Sequence, residues 1–326
     1  MQHSVDKNRD LGLKGVIYVV LVFIAIASVL FITIGIEKSS VDYALAQRVP
    51  RLIAIILTAG SIGFSTIIFQ TVVDNRLLTP NVMGLDSLYV LMQTAIVFLF
   101  GSGSIFIVNK KINFIICVVL MVFVSSLLYK GLFTKGRGNI VFLLLIGMIC
   151  GTLFSSLSSF MQMVIDPNEY LVLQNKLFAS FNNINVDILI LSLIMIIFII
   201  PFIYDDIKYL DVMSLGRDHA INLGVDYDRL VKKFLIVTSI FISISTALVG
   251  PITFLGLLVV NITRQVMKTY RHSYLIVGAI LISIFILVFG QLLLERVLNM
   301  TTPVSVIINL IGGIYFMYLL LKENRL

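Results

Sequence analysis

Long apolar runs separated by short polar segments organise this chain. Nine are clear, at 15–36, 52–73, 87–101, 112–129, 139–163, 187–204, 234–249, 273–294 and 303–321. A tenth, shorter element follows Gly250-Pro251 and runs to about Ile262. Proline lacks a backbone donor and disfavours helix at the residue before it, so that pair breaks the preceding span. A bilayer core of about 30 Å takes about 20 apolar residues as a helix. The pattern therefore predicts an all-α polytopic membrane protein of nine or ten transmembrane helices. Ten would place both termini on one side. The expected layout is a polar tail at 1–14, one transmembrane domain at 15–321 with a polar loop at 205–233, and a tail at 322–326. The first run is too long for a signal-peptide core and lacks a convincing small-residue cleavage site, so it reads as a retained helix.

Composition agrees: of 326 residues, 59% are hydrophobic and 13% charged, which excludes a soluble enzyme. The net charge of +7 sits in short loops between apolar runs, so topology explains it better than nucleic acid does. With the N-terminus inside, inner segments hold 17 of the Lys and Arg residues and outer segments 7, Lys110-Lys111 being the awkward outer pair. That excess predicts both termini in the cytoplasm. Cys117 and Cys150 lie inside apolar runs and read as small buried residues rather than a disulfide or metal ligands.

Catalytic constellations are missing. His3, His219 and His272 fall in polar segments, Asp86 and Glu295 at span ends, and no acidic pair stands at helical spacing within a span. No Gly-x4-Gly-Lys-Ser/Thr loop is present, so nucleotide is not bound in the P-loop manner. The expectation is a non-enzyme with no metal site.

Small residues recur instead. Gly147, Gly151, Ser155 and Ser159 follow one another at four-residue intervals, on one helix face, with Gln162 beyond. Such a face suits close helix packing, and equally a subunit interface or polar pathway. Ala59-Gly60-Ser61 to Thr66, ending at Gln70, is dense in the same way, as are Asn309, Gly312 and Gly313. In the polar loop, Val212, Leu215, Ala220 and Leu223 alternate with polar residues, and Leu215-Gly216 and Leu223-Gly224 suit helix C-termini. Two short amphipathic helices are predicted, resting on lipid headgroups or docking a protein.

Four stretches in order carry a family likeness. They are Arg48-Val-Pro50-Arg51-Leu; Asn75 to Thr79-Pro80-Asn-Val-Met-Gly84; the Leu215-Gly216 to Leu223-Gly224 loop with Gly250-Pro251-Ile-Thr-Phe254-Leu-Gly256 and Arg264; and Pro303-Val to Gly312. From about Arg48 to Lys322 the chain resembles the iron-siderophore and cobalamin permeases of bacterial ABC importers. The resemblance implies about ten helices in the cytoplasmic membrane, a second permease subunit (identical or paralogous), two cytoplasmic ATPase subunits, and an extracellular or lipoprotein siderophore-binding protein. Nothing would bind this chain as a cofactor, ATP acting through the ATPase.

Arg48, Arg51 and Arg296 match positions whose guanidiniums meet glutamates on the binding protein, with interfacial snorkelling the plainer alternative for the first two. Leu215, Gly216, Asp218, Ala220, Leu223 and Gly224 would form the coupling element, and Gly147, Gly151, Ser155, Ser159, Asn309 and Gly312 would line the pathway or subunit interface. Departures from the family pattern include Asp218-His219-Ala220, Thr253-Phe254 and Val260-Asn261. With the segment Asp166 to Asn183, they resemble the catecholate-siderophore branch. An ion-gradient-driven transporter of a small polar solute is the alternative. It would show an intramembrane acid, a basic counter-group, or two inverted halves with broken helices, whereas the break at Gly250-Pro251 shows no counterpart in the first half.

Overall fold

The computed structural model describes residues 2–34, 41–133, 140–182, 184–297 and 303–323. Residues 134–138 of the expected inner loop, Asn183 and the 324–326 end of the tail lie outside them. The described chain is helical. Its elements are α1 (Gln2–Thr33), α2 (Val41–Val73), a 3-10 turn at Pro80–Met83, α3 (Leu85–Phe100), α4 (Ile105–Val108), α5 (Lys110–Phe133), α6 (Ile140–Val164) and α7 (Pro167–Leu177). Then follow α8 (Val186–Tyr204), a 3-10 turn at Ile207–Tyr209, α9 (Leu210–Met213), α10 (Arg217–Asn222), α11 (Tyr227–Val249), α12 (Leu255–Met267), α13 (His272–Val297) and α14 (Val304–Glu323). Eight helices (α1, α2, α5, α6, α8, α11, α13 and α14) are long and apolar enough to cross a membrane, and α3 and α12 are shorter apolar helices. Together they account for the ten elements read from the sequence.

Three boundaries differ from the sequence expectation. α1 begins at Gln2 and takes in residues 2–14 as well as most of the first apolar run. Proline 50 lies inside α2, whose first turns precede it. The segment 164–186 contains α7, started by Asp166, whose side chain accepts from the Asn168 N–H, with Pro167 in the first turn. Glu169 Oε1 accepts from the Ser102 N–H at 3.2 Å, and Lys176 Nζ donates to the Ile107 carbonyl at 3.1 Å. Burial holds that ammonium below the usual lysine range.

α2 sits at the centre, packed on α11 and α13, and both α2 and α11 are mostly enclosed. Lipid tails are as apolar as leucine, so helix association in a bilayer rests on close packing rather than on expulsion of water. The small residues supply it. Ala54, Ala59, Ser61 and Ser65 are buried, and a Cβ on Gly63 would stand 2.8 Å from the Ala279 carbonyl oxygen. Some hydroxyls in the bundle bond to the preceding turn: Thr66 donates to the Ile62 carbonyl, Ser192 to Ile188 and Thr263 to Val259, all within 2.9 Å.

Candidate functional site

Two ends of α2 carry the polar machinery, about 35 Å apart at 1.5 Å per residue between Arg48 and Thr71. At the first end the structure brings together all three arginines singled out in the sequence. Arg48 Nη1 donates to the carbonyls of Phe31 (3.3 Å), Ile32 (2.6 Å) and Ile34 (2.8 Å), the last turn of α1. Arg296 Nη2, on α13, also donates to the Ile34 carbonyl. Arg51 Nη2 donates to the Asn182 carbonyl at 2.8 Å, and its Nη1 lies 3.8 Å from Glu295 Oε1. Gln291 completes the cluster, donating to Asn182 Oδ1 and Glu295 Oε1 at 3.3 Å each. Three guanidiniums around one carboxylate leave this end electropositive.

At the other end, α9 and α10 are the two short helices expected in the polar loop. Leu210 and Met213 are buried and Ala220 is fully buried, whereas Leu215 and Leu223 are 58% and 64% exposed. Asp218 is exposed as well. The end of α10 explains the Leu-Gly spacing. The Gly224 N–H bonds to the Ile221 carbonyl at 2.9 Å and the Val225 N–H to the Ala220 carbonyl at 3.0 Å. That Schellman closure requires the left-handed conformation at Gly224, whose φ is +82°. Gly216, at φ +97°, makes the corresponding turn between α9 and α10. The Arg217–Asp228 ion pair at 3.2 Å ties α10 to α11.

His272 was missed by sequence reasoning, which placed it in a polar segment. It is buried at the start of α13, its Nδ1 2.6 Å from Asp211 Oδ1 and its Nε2 2.8 Å from Thr71 Oγ1. Asp211 Oδ1 also accepts from the His272 N–H at 2.7 Å. α9 is thus tied to the ends of both α2 and α13, over 61 residues of chain that no local pattern spans.

The α6 ladder is divided. A Cβ on Gly147 would stand 2.9 Å from Met83 Cα, and one on Gly151 would stand 3.1 Å from Gly84 Cα. Both glycines are buried against the Met83–Gly84 backbone of the same chain. Ser155 remains exposed while donating to Ser87 Oγ at 3.0 Å, and Ser159 is exposed. The neighbouring face forms an open groove of about 840 Å³, along Met148, Thr152, Leu153, Ser156 and Phe160. On α14, Asn309 Oδ1 accepts from the Phe254 N–H at 3.4 Å, and Gly312 packs on the Phe254 side chain.

The expectation of a single break is corrected. Thr79 is extended, Pro80–Met83 form one 3-10 turn, and Gly84 at φ +76° opens α3. At 16 residues α3 spans about 24 Å, and at 13 α12 spans about 20 Å, both short of a bilayer core. Their N-termini meet. Thr253 Oγ1 donates to Asp86 Oδ2 at 3.1 Å, and Asn81 Nδ2 donates to the Thr253 carbonyl at 3.2 Å. Asp86 therefore belongs to a junction of two half-helices, and paired breaks no longer argue against a gradient-driven transporter. Comparison with known proteins decides that point.

A solved structure described as an inward-facing metal-chelate type ABC transporter matches 95% of this chain and 99% of its own, with a TM-score of 0.81 at 21% identity, which shows a shared fold. The petrobactin import system permease protein YclO of Bacillus subtilis is 60% identical over 87% of this chain and 90% of its own length. The FatC permease protein of the Bacillus anthracis petrobactin import system is 36% identical over 90% of the chain and 83% of its own length. YclN, also a Bacillus subtilis petrobactin import system permease protein, is 25% identical over 94% of the chain and 98% of its own. The model of the FecCD transport family matches residues 13–322, and with these relatives it makes the chain a member of that family.

Proposed function

We propose that this chain is a permease subunit of an ATP-driven importer that carries a ferric siderophore of the petrobactin kind across the bacterial cytoplasmic membrane. The observation that carries this reading is the 60% identity to YclO over 87% of the chain. Hydrolysis belongs to a separate ATPase, for which the exposed Leu215, Asp218 and Leu223 around two left-handed glycines are the seat. The electropositive cluster of Arg48, Arg51 and Arg296 is where an acidic patch of a binding protein docks.

Force reaches the bundle through a rigid route. A displacement of α9 moves Asp211, which is held to His272 and through it to Thr71, so α2 and α13 move with it. The junction at Asp86 and Thr253 is the natural point for two arrangements of the bundle to interchange, because α3 and α12, at 16 and 13 residues, are both shorter than a full bilayer span. An ATPase pair that binds the two arrangements unequally drives transport.

The test is uptake of radioactive iron as ferric petrobactin in a strain deleted for this chain. Re-expression should restore uptake. Re-expression of a Gly216→Val, Gly224→Val double variant should not, while insertion in the membrane stays normal. Restored uptake by the double variant would remove α9–α10 from coupling. Unchanged petrobactin uptake in the deletion strain would remove the substrate.

A further inference from the structure

Beside α9, at the same end of α2, lies a polar recess of about 400 Å³ whose lining includes Thr71 and His272 of the proposed coupling route. Arg76, from the segment after α2, and Arg264 and Lys268, from the end of α12, line it against one carboxylate, Asp74. The Arg76 and Arg264 charges repel each other, and among the described residues neither guanidinium makes a hydrogen bond or ion pair. Arg264 Nε is a buried donor without a partner. Basic residues scattered over loops need no counterion beyond solvent, but an unpaired guanidinium nitrogen shut away from water loses its hydration and gains nothing in return.

One further orphan faces the same space. Gln70, 2% exposed, lines the recess. Its Nε2 is fixed on the Arg76 carbonyl at 2.7 Å, so the amide orientation is set and Oε1 is left as a buried acceptor with no donor. The recess therefore asks for a ligand that accepts from two guanidiniums and also donates a hydrogen bond. A carboxylate offers acceptors only. A phosphate group offers separate oxygens to two forks approaching from different elements, and supplies the donor as its own hydroxyl or as that of an attached alcohol.

We propose that this recess binds a phosphate group carrying a hydroxyl donor, either the glycerophosphate head of an anionic lipid or free inorganic phosphate. Arg76 and Arg264 hold its oxygens, and Gln70 Oε1 accepts from its hydroxyl. Basic recesses between helix ends are where lipid headgroups seat. Because Ser214, the residue before the exposed Leu215, lines the same space, a bound headgroup stabilises one placement of α9.

The full chain in nanodiscs of zwitterionic phosphatidylcholine tests this, with or without phosphatidylglycerol, by native mass spectrometry. In a parallel arm, thermal unfolding is followed as inorganic phosphate replaces chloride at constant ionic strength. A lipid ligand appears as one retained phosphatidylglycerol, lost at least five-fold in Arg264→Gln and in Arg76→Gln but kept in Arg229→Gln, at the start of α11 and outside the recess lining. A free-phosphate ligand appears as a rise in melting temperature at millimolar phosphate, absent from the same two variants. Arg76 is exposed, so Arg76→Gln stays informative should Arg264→Gln fold poorly. Neither retention nor a phosphate-dependent shift, or equal losses in Arg229→Gln, would overturn the proposal.

Discussion

Arg48 and Arg296 reach the same carbonyl, that of Ile34, yet they stand to their surroundings differently. Arg48 is half-buried and bonds three carbonyls at the C-terminal end of α1, groups that no intrahelical donor can satisfy. A cation there also complements the helix dipole, an effect of about 0.3–1 kcal/mol at an exposed end. Arg296 is exposed and makes one such bond. Arg48→Gln should therefore lower the thermal midpoint and uptake together, because α1 loses its closure. Arg296→Gln should leave the midpoint in place and, where the proposed binding protein docks on this cluster, slow its association with a weaker salt dependence than the wild type shows. Surface plasmon resonance with the binding protein, alongside a melting curve for each variant, separates the two roles. A midpoint lowered as far by Arg296→Gln as by Arg48→Gln would make the cluster a structural clamp alone. The family resemblance marked all three arginines, but that they share the end of α1 depends on how α2 and α13 pack, which no spacing along the chain expresses.

Helices that cross the bilayer were legible because the bilayer imposes a length, and eight runs had it. The half-helices were harder. Residues 74–86 carry Asp74, Asn75, Arg76, Asn81 and Asp86, which read as an aqueous loop, yet Asn81 and Asp86 find their partners on the 252–254 segment about 170 residues away. A polar residue satisfied by a distant backbone is invisible to hydropathy, and Pro80 and Gly84 alone do not distinguish a surface turn from a buried one. If Asp86 and Thr253 hold the two N-termini together, a double-mutant cycle of Asp86→Ala and Thr253→Val should show positive coupling. Hydrogen bonds between membrane helices average about 0.6 kcal/mol and reach about 1.7 kcal/mol. Unfolding of the four proteins by graded denaturing detergent measures it. Additive losses would mean that the junction is held by packing on Gly147, Gly151 and Phe254, and that the hydrogen bond is incidental.

Among the described spans, α1, α6, α8 and α14 are largely uncovered. α6 presents the groove along Met148, Leu153 and Phe160, and α14 presents Leu310, Ile314 and Met317, all more than 45% exposed. Apolar side chains alone can face lipid, but the α6 face also carries Ser155, Ser156 and Ser159 in the open, and hydroxyls in a bilayer turn towards protein or a water-filled path. A second permease against α6 gives them that surrounding. Two relatives differ in their distance: YclO and YclN are both petrobactin import system permease proteins of one organism, and this chain is 60% identical to the first and 25% to the second. A chain so much nearer one of two coexisting permeases is suited to pair with the counterpart of the other. Expressed alone, it should therefore remain a monomer in gentle detergent. Co-expressed with a YclN-like paralogue, it should form a one-to-one pair, and Leu153→Cys should crosslink to cysteines placed on that partner rather than to a second copy of itself. Crosslinking between two copies in the partner's presence would instead make the pair symmetric, and Ser155, Ser156 and Ser159 would then face their own counterparts across a two-fold axis.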